Sequence, residues 1–92
     1  MSEEEKAVFN TNDWNKCIEL IEKYWNTDYG TFEICKEKII GRETLELTTG
    51  GWSKNEKILN EISDTIFWFL WWQESKRGGY CKFSYTEVIS YE

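Results

Sequence analysis

The chain has 92 residues, among them 6 Trp, 5 Tyr and 5 Phe but no Pro and no His, and its 17 Asp+Glu outweigh 11 Lys+Arg to a net charge of −6. A chain this short builds one small core and no second. Without His it lacks the commonest general base, every Ser-His or Cys-His nucleophile pair and the commonest zinc ligand, while its acidity disfavours direct contact with nucleic acid.

The start, Met1-Ser-Glu-Glu-Glu-Lys, is acidic where a secretory signal would be basic. Residues 1–10 are expected as a frayed acidic tail ahead of one α+β domain over residues 11–92. A first helix is predicted from about Asp13 to Trp25, with Thr11 or Asn12 as N-cap and Asp13 in the first turn. Trp14, Cys17, Ile18, Ile21, Tyr24 and Trp25 form its core stripe, and Glu19, Glu22, Lys16 and Lys23 lie outside it. The next stretch alternates: Phe32 and Ile34, then Leu45 and Leu47, share one parity with Glu33, Glu46, Thr44 and Thr48 between them. That period predicts strands Tyr29–Ile40 and Glu43–Thr49, joined by a turn at Gly41-Arg42 or one nearer Lys36-Glu37.

Gly50-Gly51-Trp52 ends the strand, and Ser53-Lys54-Asn55-Glu56 matches a capping box in which Ser53 and Glu56 satisfy each other's backbone N–H. The second helix is predicted to run on to Lys76-Arg77, with Gly78 as its left-handed C-terminal cap. On a continuous helix, Ile58, Leu59, Ile62, Ile66, Phe69 and Leu70 face the sheet. A last strand, Tyr80 to about Tyr91, alternates Cys81, Phe83 and Tyr85 with Lys82, Ser84 and Thr86. The expected order is α-β-β-α-β, an antiparallel sheet with two helices packed on one face.

Cys17, Cys35 and Cys81 are too dispersed for a Cys-x-x-Cys metal or redox motif, and an odd count without a secretory start predicts free thiols in a reducing cytoplasm. The longest apolar run, Ile66 to Trp72, falls far short of the ~20 residues that span a bilayer. No catalytic, metal or cofactor-binding constellation stands out, so none is predicted. Gly50-Gly51 before a helix start, with Lys54, Lys57 and Arg77, admits a phosphate or nucleotide site; a turn with a cap accounts for the same residues.

Four rings of the second helix, Phe67, Trp68, Trp71 and Trp72, fall outside its predicted core sector. The first helix or the segment through Phe9 could cover them. So could a second copy, giving a homodimer, or a foreign partner with Trp52, Arg77 and Tyr80 as further contacts.

From Gly50 to Phe83 the chain resembles a group of short proteins of bacteriophage and prophage genomes. The likeness rests on Gly50, Gly51, Trp52, Ser53, Glu56, Phe67, Trp68, Trp72, Ser75, Arg77, Gly78, Gly79 and Phe83. Tyr80 stands where that group often has His. The resemblance implies a phage setting. In size and charge the chain is also similar to anti-CRISPR proteins. Together these imply a non-enzymatic accessory protein that binds a basic surface on a host protein, such as a nucleic-acid-targeting defence nuclease, and blocks it.

Overall fold

The computed structural model describes residues 1–37 and 41–86. In chain order they form α1 (Glu3–Val8), α2 (Trp14–Tyr24), β1 (Thr31–Glu37), β2 (Arg42–Thr48), α3 (Ser53–Ile62), α4 (Ile66–Trp71), β3 (Trp72–Lys76) and β4 (Tyr80–Thr86). The strands make one antiparallel sheet in the order β1-β2-β4-β3. The class is α+β as expected, with two more helices and one more strand than the expected order.

The N-terminal residues are ordered into a helix. Ser2 and Glu5 close a capping box at the start of α1, and Phe9 just beyond it is fully buried. The acidic first turn favours this helix through its dipole, and the Phe9 ring anchors it to the core. Helix α2 follows the predicted stripe, with Trp14, Cys17, Ile18, Ile21 and Trp25 buried, except that Tyr24 is exposed and donates its hydroxyl to the Glu5 carboxylate. Its N-cap is Asp13, whose carboxylate accepts the Lys16 N–H at 3.2 Å, in place of Thr11 or Asn12.

In the first hairpin Phe32 pairs with Leu47 and Glu37 with Arg42. Arg42 therefore belongs to β2, and the predicted two-residue turn at Gly41-Arg42 does not form; Gly41, just before the strand, has φ +61°. The predicted strand continuation through Ile40 and the last strand beyond Thr86 lie outside the described residues. Leu45 and Leu47 are fully buried, whereas Phe32 is half-buried and Ile34 is 37 % exposed. The strand β1 is at the sheet edge, and the helical layer covers β2 and β4 instead. The buried residues Leu45, Leu47, Cys81 and Phe83 share one face of those two central strands.

The largest departure lies in the second predicted helix. It breaks at Ser63-Asp64-Thr65, where the Thr65 hydroxyl donates to the Ile62 carbonyl (2.7 Å) and the Ser63 hydroxyl to that of Asn60 (2.9 Å). Such side chains compete with the helical ladder for its own carbonyls. Thr65 is extended, and α4 restarts at Ile66 with a different phase. The new start is capped from outside the helix: the Phe9 carbonyl accepts the Phe67 N–H at 2.9 Å, and the Asn10 side chain accepts that of Ile66 at 3.3 Å. Instead of continuing to Lys76, the chain leaves the helix at Trp72 as strand β3. Arg77-Gly78-Gly79 is then the β3–β4 hairpin turn, with Gly78 and Gly79 both at positive φ, and Gly78 caps no helix. At the other end of α3, Trp52 is the N-cap and Ser53 the first helical residue, so the predicted Ser53–Glu56 box does not form.

The core is an aromatic stack on the helical side of the sheet. Trp14 stacks on Phe67 (5.7 Å, 18°) and on Tyr85 (5.3 Å, 12°), and meets Trp71 edge-on (5.2 Å). Phe67 also meets Phe9 at 90° and lies 5.0 Å from Phe83. These offset and T-shaped geometries are those the ring quadrupoles favour.

Candidate functional site

All six residues of α4, Ile-Phe-Trp-Phe-Leu-Trp, are apolar. At roughly 100° per residue, Phe67 and Trp71 share one side of the helix, and Ile66, Phe69 and Leu70 share the other. The core takes Phe67 and Trp71, which are buried. The opposite side faces out: Phe69 is 78 % exposed, Leu70 53 % and Ile66 44 %, and Trp72, the first residue of β3, adds 41 %. A helix apolar all round belongs in a protein interior, and here only one side of it is. The uncovered area is on the order of 400 Å², the size of a functional patch on a monomer.

The restart at Thr65 decides which side this is. An unbroken helix would have buried Ile66, Phe69 and Leu70 and turned Phe67 and Trp71 outward. The break reverses them. Sequence reasoning placed Ile66, Phe69 and Leu70 in the core and so missed them as surface residues; Ser63-Asp64-Thr65, three residues that favour turns and caps, is the signal that marks the reversal.

Of the seven residues predicted to meet a partner, Phe67 and Trp71 are removed by burial. Trp68 is half-buried, edge-on to Phe83 (5.3 Å) and stacked on Trp72 (6.1 Å, 13°), which in turn donates its indole N–H to the Ser75 hydroxyl at 2.8 Å. Trp68 and Trp72 thus border the exposed side of α4. Trp52 stacks against Tyr29 (4.4 Å, 4°) near the start of α3. Arg77 is exposed in its turn. Tyr80 lies on the sheet face away from the core, and its hydroxyl donates to Glu46 at 2.6 Å, which raises its pKa to about 12.

The Gly50-Gly51 and Arg77-Gly78-Gly79 turns adjoin through Thr49, whose N–H donates to the Gly79 carbonyl at 3.1 Å. Gly50 has φ +61°, and a Cβ there would run into the Tyr29 carbonyl. Beside it the fully buried Asn55 accepts the Asn26 N–H (2.9 Å) and donates to the carbonyls of Asn26 (3.0 Å) and Thr49 (3.3 Å). These groups hold chain segments together; the glycines act as turn residues.

Burial lifts the Cys17 thiol to about 12, helped by the negative charge of Asp13, and also raises that of Cys81, partly offset by its contact with Ser75. Both are therefore poor nucleophiles. Among the described residues no group of three or more His, Cys, Asp or Glu is placed to hold a metal ion, and no helix is long and apolar enough to cross a membrane. No protein-family model matches the chain, and no curated protein or solved structure is significantly similar to it.

Proposed function

We propose that the protein is a non-enzymatic phage or prophage accessory protein that docks on a basic host protein in the bacterial cytoplasm and blocks it, the target being a CRISPR-Cas or other nucleic-acid-targeting defence nuclease. One observation carries the docking part of this reading: Phe69, with Ile66 and Leu70, stands exposed on a helix whose residues are all apolar. Exposed aromatic and aliphatic side chains on a rigid element supply the anchor of a protein interface. The net charge of −6 supplies attraction to a basic surface and faster encounter with it. The nuclease assignment rests on the resemblance to phage proteins and on the likeness to anti-CRISPR proteins in size and charge.

A foreign partner fits this surface better than a second copy. Two such patches face to face would bury on the order of 800 Å² in total, below the ~1,200 Å² of a stable interface, and each copy would carry six net negative charges towards the other. The test is affinity capture from a bacterium carrying defence systems, with the wild-type chain and Phe69→Asp as paired baits, followed by a nuclease assay on the captured partner. Wild type is expected to retain a nuclease and diminish its cleavage, and the variant to do neither. Undiminished cleavage would sink the assignment.

A further inference from the structure

We infer that the free edge of β1 is a second docking surface, and that it accepts an extended segment whose residues alternate between basic and apolar. It lies at the opposite edge of the sheet from β3, which continues out of α4, so it stands whether or not α4 meets a nuclease.

Among the described residues no strand lies beyond β1. The Thr31 N–H points into the sheet, donating to the Thr48 hydroxyl at 3.0 Å. By the two-residue period of a strand, the N–H and C=O groups of Phe32, Ile34 and Lys36 point away from β2. These three make a pairing edge without a bulge. At the other edge, β3 is shorter and its pairing with β4 shifts between Trp72 and Glu74, an irregularity of the kind that blunts an edge.

The side chains specify the occupant. On the helical side, Phe32 is half-buried and Ile34 partly exposed, so the core is open along this edge and can receive apolar side chains of an added strand. On the other side Glu33 and Glu37 are exposed; on β2, Glu46 lies opposite Glu33 and Arg42 opposite Glu37, so the uncompensated carboxylates centre on Glu33. Lys36, the one cation of β1, stands on the helical side at the end of the strand, where it faces Glu43 at 4.0 Å, so it does not neutralise Glu33 or Glu37. A partner strand therefore meets Phe32 and Ile34 on one face and Glu33 and Glu37, flanking Cys35, on the other, and the complementary pattern alternates apolar with Lys or Arg.

The same charges argue against a second copy. In a two-fold antiparallel pair centred on Glu33, that residue opposes itself. Centred on Cys35, Glu33 opposes Glu37. Centred on Ile34, Glu33 lies diagonal to both of its partner-strand counterparts at 33 and 37. Each register brings carboxylates together without a new cation between them, and like charges across strands destabilise.

The test is a titration of the full chain, followed by amide NMR and hydrogen exchange, with a blocked seven-residue peptide of alternating lysine and valine and its glutamate–valine counterpart. The lysine peptide should slow exchange at Phe32, Ile34 and Lys36 and bind at least tenfold tighter than the glutamate peptide, with affinity falling as salt is added. Ile34→Pro removes an outward N–H, a change tolerated at a sheet edge, and should weaken binding at least tenfold. Should that variant fail to fold, Glu33→Lys with Glu37→Lys serves instead and should reverse the preference between the peptides. Phe69→Asp should bind the lysine peptide as wild type does, which separates this surface from α4. Equal binding of the two peptides, protection elsewhere than at β1, or binding that survives folded Ile34→Pro would overturn the inference.

Discussion

Replacing Phe67 by Ala tests the phase of α4. Phe67 is fully buried, with its ring centroid 5.0 Å from Phe83, 5.4 Å from Trp71, 5.6 Å from Phe9 and 5.7 Å from Trp14. Removing it loses the transfer energy of a buried phenyl ring and leaves a cavity among four aromatics that can only partly collapse, at a cost of about 3–5 kcal/mol. A domain of this size has roughly 5–14 kcal/mol in all. Each kcal/mol shifts its melting temperature by about 4–8 °C, so Phe67→Ala should lower Tm by at least roughly 12 °C. Phe69→Ala, two residues on, removes the same ring from a side chain that is 78 % exposed and should change stability by no more than about 0.5 kcal/mol. Thermal and urea unfolding followed by circular dichroism would measure both. If Phe69→Ala proved the costlier, α3 and α4 would be one continuous helix and the exposed surface would be the wrong one.

Other consequences are independent of that helix. Native protein treated with a maleimide at neutral pH should be modified at the exposed Cys35 and spared at the buried Cys17 and Cys81, with all three reacting in denaturant, as read by intact mass. Glu5 accepts the Tyr24 hydroxyl at 2.6 Å and Lys23 at 3.2 Å, and its pKa is lowered from 4.5 to about 2, chiefly by the Tyr24 bond. A lowered carboxyl pKa stabilises the native state fully above 4.5, and that contribution fades as pH falls from about 4.5 to about 2; the native Tyr24 ring resonances should shift around pH 2, where native Glu5 protonates, in wild type and not in Glu5→Gln. Gly50→Ala should cost about 1–3 kcal/mol in urea unfolding, through its positive φ and the clash with the Tyr29 carbonyl.

What could be read from the sequence follows how local each cause is. The burial stripe of α2, from Trp14 to Trp25, is set by its own spacing and lies where it was expected except at Tyr24, which is exposed. So do β2 and the start of β4, whose alternation is equally local. The α3–α4 break is marked locally by Ser63-Asp64-Thr65 alone, and the groups that secure the restart come from elsewhere: Asn10, which caps Ile66, is 56 residues away in sequence. Lys76-Arg77-Gly78-Gly79 fits a helix end as well as it fits a hairpin turn, so nothing local argued for β3. From the break at Thr65 the candidate site changed hands. The excess of rings on this helix was visible in the sequence, but Phe67 and Trp71 serve the core, and Phe69 with its neighbours Ile66 and Leu70 faces outward.

The most direct test of the central claim is a cleavage assay on a panel of purified CRISPR-Cas effector complexes, titrated in parallel with wild-type protein and Phe69→Asp. The account predicts that wild type suppresses cleavage by at least one effector. The variant, unchanged in Tm, should need at least roughly a thirtyfold higher concentration, as befits loss of a central anchor worth over 2 kcal/mol. Suppression of none, or equal potency of the two proteins, would contradict it.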